Sequence, residues 1–227
     1  MRVQQPDGIH HVAIMSADMK AQLTFFTQVL GFPLKGLFEM HGVPGGRHAF
    51  LEMAPDSYFS VVEIDGVGEI PVEVGVTHAG TGAGKCAAGV TQHIAFRAPN
   101  GEALLALRDR IRSHGVGVIG PIGHGFCKSI YFAGPEGLTL EVAAAVSAID
   151  PARWIDPAIL AECGISEGEA AAMRMPPASL AEDVAQPAFD PSQPNLAYPE
   201  ATLRAILSAP DAAITAQGSY DQPPVPA

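Results

Sequence analysis

Two kinds of apolar pattern alternate along the first part of the chain, and the alternation happens twice. Gly8 to Ile14 and Val90 to Phe96 are rich in β-branched and aromatic residues and read as strands. Set side by side, His11 falls on His93 and Ala13 on Ala95, while Val12 falls on Ile94 and Ile14 on Phe96. Strand parity puts each His and Ala on one face and the bulky residues on the other. His10 has the opposite parity and is expected to face the apolar layer, which makes it a poor ligand candidate.

A helix is expected after each strand. Ser16 or Asp18 caps the first, which carries Leu23, Phe26, Val29 and Leu30 at helical spacing and stops at Gly31. Asn100 caps the second, with Leu104, Leu107 and Ile111 as its stripe and a stop at Gly115. Short strands follow each helix, ending in Ser60 to Ile64 and in Leu138 to Val142. Each final strand sets one carboxylate, Glu63 or Glu141, among apolar neighbours. A buried carboxylate is costly unless it is paired or bound to metal. The pattern therefore predicts an α+β fold of two βαβββ modules, about residues 8–66 and 90–143, each with one matched His and Glu.

Charge changes the picture beyond residue 143. The chain of 227 residues has a formal net charge of −11, and the stretch from 144 onward holds 11 of its 24 acidic residues, 12 of its 20 prolines and no lysine. This shift predicts a two-module domain over 1–146 and an acidic, Pro/Ala-rich extension over 147–227. Helices are expected in the extension between Asp156 and Met175, with Ser166 as a cap, and over Pro199 to Leu207. The extension reads as a peripheral wrap without chemistry. The net negative charge argues against a nucleic-acid partner. No apolar run reaches membrane length and no signal peptide is evident, so no membrane partner and a cytoplasmic location are expected. Cys86, Cys127 and Cys163 are too scattered for a disulfide framework or a zinc knuckle.

Imidazole and carboxylate donors together suit Fe(II), Mn(II), Ni(II), Co(II) or Zn(II). The repeated strand, helix and His/Glu pattern of residues 8–143 resembles the vicinal oxygen chelate superfamily of glyoxalases, extradiol dioxygenases, epimerases and bleomycin- or fosfomycin-resistance proteins. That resemblance implies an open, curved mixed sheet around a metal cleft. It implies His11, His93 and Glu141 as ligands of one divalent ion, with Glu63 on a fourth position that is carboxylate in glyoxalase I. The superfamily also often dimerises, sometimes by module exchange, so a homodimer is compatible with the resemblance.

Residues 122–141 narrow the resemblance. His124, Ile130-Tyr131, Pro135, Gly137 and Glu141 are similar to the extradiol ring-cleavage signature, from which Gly134 departs. The implied chemistry is Fe(II)-dependent cleavage of a catecholic or related aromatic substrate, with Tyr131 and His124 as catalytic hydrogen-bonding groups. His78, 15 positions before His93 in a Gly-rich loop, is a further acid/base candidate. That loop lacks a Walker lysine-serine pair, which argues against phosphate binding. His41 and His48 read as surface or loop residues. Two alternatives stay open. Glu63 points to a glyoxalase- or epimerase-like isomerase or lyase working through a metal-stabilised enediolate. The other is a non-catalytic, drug-binding module.

Overall fold

In the computed structural model, which describes residues 6–176, 184–220 and 222–225, the duplicated pattern forms two four-stranded sheets. The first sheet contains β1 (His11–Met15), β2 (Leu34–Glu39), β3 (Arg47–Ala54) and β4 (Ser57–Glu63), in the order β1-β4-β3-β2. The second contains β5 (Ile94–Ala98), β6 (Val118–Gly123), β7 (Cys127–Ala133) and β8 (Thr139–Ala145), in the order β5-β8-β7-β6. In each sheet the first and last strands run parallel and the other pairs are antiparallel. The expected α+β fold of two βαβββ modules is what the chain adopts.

Helix α1 (Met19–Phe25) widens into a π-helical turn, Phe26–Leu30, before Gly31 ends it at φ +79°. Of the two cap candidates, Asp18 takes the role by accepting from Ala21 N, and Ser16 Oγ accepts from Asp18 N. Helix α2 (Gly101–Ser113) starts at Asn100, whose side chain accepts from Ala103 N.

The apolar stripes of both helices share one core. Phe26 and Phe32 of the first module meet Phe96 of the second, with Phe32 and Phe96 centroids 5.2 Å apart. Two charged side chains of the second module hold the ends of α1. Glu136 accepts from Ala17 N and from Gln22 Nε2, both at 2.7 Å. Arg110 donates to the Gln28 and Val29 carbonyls, both at 2.8 Å. An acid at the N-terminal end and a cation at the C-terminal end each suit the helix dipole.

Beyond β8 lie α3 (Pro151–Trp154), α4 (Pro157–Glu162) and α5 (Glu167–Arg174), the last with the expected Ser166 and a full capping box. Helices α6 (Glu200–Ser208) and α7 (Asp211–Gly218) follow, and neither α3 nor α7 is evident from the sequence. By contacts, residues 6–176 form one unit and the described residues from 184 onward belong to another. The division falls about 30 residues beyond the compositional boundary at 146/147, because the segment after β8 packs on the second module. No helix among the described residues is long and apolar enough to cross a membrane.

Candidate functional site

The exposed face of the second sheet is built in rows across β5, β8 and β7. Register places Ala95, Glu141 and Tyr131 side by side, then Arg97, Ala143 and Ser129, then Ala145 and Cys127. A cleft of about 500 Å³ lies over these rows. His93, one residue ahead of β5, brings Nε2 to 3.1 Å from Oε2 of the buried Glu141. Two donors in neighbouring positions on one transition ion, each about 2.1 Å from it, stand roughly 3 Å apart, so the pair has the spacing of a half-built metal centre.

Gln92 supports that reading. Its Nε2 donates to the Thr81 and Gly84 carbonyls, which turns Oε1 toward His93 Nδ1. Nδ1 must therefore carry the ring proton, leaving the Nε2 lone pair aimed at a carboxylate. With the lone pair and the carboxylate oxygen facing each other, the two atoms are placed to act as donors to one cation.

Tyr131 and His124 line the same cleft, with the Tyr131 hydroxyl 2.9 Å from His124 Nε2. Burial raises the Tyr131 hydroxyl above the usual tyrosine value. A hydrogen bond with Ser129 opposes the shift and the Glu141 charge adds to it. Tyr131 thus stays a neutral donor near pH 7. Its ring rests against the Gly-rich loop, where a Cβ on Gly82 would lie 3.4 Å from the ring edge.

The other sequence candidates lie elsewhere. His78 lines a second, smaller cavity of about 270 Å³ with His93, Gln92 and Met15, and its Nδ1 is 2.9 Å from Thr77 Oγ1. His11 is on the exposed face of β1 but does not line the main cleft. Among the described residues, no three His, Cys, Asp or Glu side chains gather as a metal would need. The matching of Glu63 with Glu141 is corrected by register. Ala13 pairs with Ser60 as Ala95 pairs with Glu141, so Ser60 is the counterpart of Glu141. Glu63, three positions on, has the opposite parity and turns to the helix side. There Oε2 accepts from Met19 N at 2.7 Å, and Oε1 pairs with Arg47 at 3.1 Å.

His10 and His48 also depart from expectation. His10 lies ahead of β1, where strand parity has no hold, and is exposed with its Nδ1 2.9 Å from that of His11. His48 is on β3, half-buried, with Nε2 2.6 Å from the Oγ of buried Ser60. Burial lowers the His48 pKa, and His11 and His41 nearby lower it further.

A sequence model described as the Glyoxalase/Bleomycin resistance protein/Dioxygenase superfamily matches residues 8–142. The chain belongs to that superfamily. A solved glyoxylase/bleomycin resistance protein/dioxygenase domain from Frankia sp. EAN1pec is 14% identical, with 62% of this chain and 99% of that chain covered and a TM-score of 0.49. The fosfomycin resistance protein FosX of Listeria monocytogenes is 16% identical over 63% of this chain and 94% of its own, with a TM-score of 0.44. TnmS3, an antibiotic binding protein from Streptomyces sp. CB03234, is 18% identical over 63% and 98%, with a TM-score of 0.43. No curated protein matches the chain.

Within this superfamily member, sequence reasoning missed five contributors to the site. Gln92 lies inside the repeated strand motif and Arg97 just beyond it, and strand parity could have flagged Arg97 on the Ala95 face. Ser147 and Ile149 line the cleft from the segment after β8. Trp154 packs edge-on against Phe126 at 5.0 Å. It also lies so close to Gly125 (φ +85°) that a Cβ there would approach its ring to 2.6 Å. Trp154 therefore braces the turn carrying His124, and the extension begins as part of the site.

Proposed function

We propose that this protein is a metal-dependent, extradiol-type dioxygenase acting on a catecholic or related aromatic substrate. The observation that carries the reading is the meeting of the His93–Glu141 pair and the hydrogen-bonded Tyr131–His124 pair in one cleft. The reassignment of Glu63 adds support. A second carboxylate at the metal is what an isomerase would use to carry a proton, and the equivalent position is Ser60.

His93 and Glu141 would hold two positions of the ion, and His11 is the superfamily's third. His11 does not line the cleft of its own chain, and a homodimer in which a second copy supplies it is the assembly this reading favours. A ferrous ion held there supplies positive charge that acidifies a catechol hydroxyl and open positions for two vicinal oxygens. The remaining work falls to side chains of this chain. Tyr131, kept protonated, donates to one substrate oxygen and fixes the ring against the sheet. In the deprotonation step the Tyr131 hydroxyl passes its proton to His124 Nε2 and takes the one the substrate gives up, so it ends protonated and able to donate to the substrate oxygen. The Gly-rich loop over Tyr131 limits water at that end. Ring cleavage breaks one ring C–C bond and places both atoms of dioxygen in the product, with the substrate as the only reductant.

Oxygen uptake by the Fe(II)-loaded protein over a panel of catechols tests the reading. Uptake stoichiometric with ring-opened product is expected, and Tyr131→Phe should lower the rate by roughly a hundredfold while metal content holds. Turnover that needs no oxygen, or a rate indifferent to Tyr131, would refute it.

A further inference from the structure

We infer that the cleft is built for an aromatic substrate bearing an anionic substituent, held by Arg97; this rests on the cleft being the substrate site. Arg97 shares the parity of Ala95 on β5 and lines the same cleft as His93. It lies four positions beyond His93, about 13 Å between Cα atoms along extended chain. Between them the floor consists of Ala95 and Ala143, small residues that leave a shallow slot in which a planar ring can lie. Phe126 and Ile149 supply apolar surface to the same cavity. The slot thus has a hydrogen-bonding, metal-competent end and a cationic end, with room for one ring and a short acidic arm.

Arg97 is the one arginine that lines the cleft, and among the described residues no carboxylate pairs with it. Acidic residues outnumber lysine and arginine by 24 to 13, yet Arg97 forms no ion pair or side-chain hydrogen bond among the described residues. Arg47, Arg108, Arg110, Arg112 and Arg204 all have partners. The carboxylate one row away, Glu141, is turned toward His93 instead. A guanidinium presents a planar fork to a carboxylate, and in a cleft with apolar walls that pairing is stronger than on an open surface.

The test uses the full chain loaded with Mn(II) under nitrogen, so binding is read without turnover. Trp154 is the only tryptophan and packs on Phe126 of the cleft wall, so quenching of its fluorescence reports occupancy. The probes are 3,4-dihydroxyphenylacetate and its methyl ester, which removes the charge and adds one methyl group. The acid should bind roughly tenfold to a hundredfold more tightly than the ester. Arg97→Gln should close that gap, and Arg97→Lys should restore part of it. Equal affinity for acid and ester, or a gap that survives Arg97→Gln, overturns the inference. Failure of the dioxygenase reading shows separately, as absence of oxygen uptake with Fe(II), and leaves the acid-over-ester preference standing.

Discussion

The two modules are copies in backbone and opposites in chemistry. At equivalent positions of the two sheets, Ser60 answers Glu141, Phe50 answers Tyr131 and His48 answers Ser129, while His11 and His93 match. In the second module the row ends in a carboxylate facing a histidine nitrogen. In the first, the same row is closed on itself, with His48 hydrogen-bonded to Ser60 and flanked by Phe38 and Phe50. The difference shows that a duplicated fold can keep its hydrogen-bond register while only one copy keeps a charged centre. The other copy offers histidines without a facing carboxylate, and an aromatic face.

The sharpest way to break the comparison is to exchange chemistry at matched positions. Glu141→Gln should lower metal affinity by more than about a hundredfold, a larger loss than the ten- to hundredfold typical of an outer-shell partner. Ser60→Ala, at the equivalent position of the first module, should leave metal affinity unchanged. Equilibrium dialysis with Mn(II) measures both. Equal losses from the two variants would mean that the modules share one centre more evenly than the register implies.

How far this could be read from the sequence depended on what kind of signal carried each feature. The repeat was legible because His11, Ala13, His93 and Ala95 lie on short strands whose parity is local. Asp18, Asn100 and Ser166 were legible as caps because a cap needs only its own turn. The Glu63 assignment was not legible, because counting from His11 to Glu63 passes through two hairpins. Each pairing in that stretch carries an irregularity, after Leu34 and after Glu52. A three-residue offset is invisible in such a count but reverses the face of the side chain. Gln92 and Trp154 act through backbone carbonyls or through neighbours distant in sequence, which no spacing announces.

Glu63 itself gives the next test, with an intermediate effect. Its carboxylate is mostly buried and meets the first turn of α1 as well as Arg47. Glu63→Gln should leave metal binding intact and cost about 1 kcal/mol of stability, the scale of a lost charged helix cap. Metal analysis and urea unfolding of the same sample separate the two. Loss of the metal with unchanged stability would return Glu63 to the ligand set.

The smallest effect concerns the join between the modules, and it depends on pH. The second module reaches across to both ends of α1 through Glu136 and Arg110. Burial pushes the Glu136 carboxyl upward, but hydrogen bonds from Gln22, Ser16 and Ala17 outweigh it and leave the carboxyl below the usual glutamate value. A carboxyl depressed in the folded state stabilises the fold at pH values above its unfolded value. That contribution disappears as pH falls through the folded value. Because the group is largely solvated, its contribution is about 1 kcal/mol. In metal-free protein, Glu136→Gln should therefore be less stable than wild type by about that amount at pH 7, and the difference should shrink toward zero near pH 3. Comparing the two proteins at each pH cancels the titration of every other carboxylate. A stability gap that stays constant from pH 7 to about pH 3 would show that the ionised form of Glu136 does not hold the modules together.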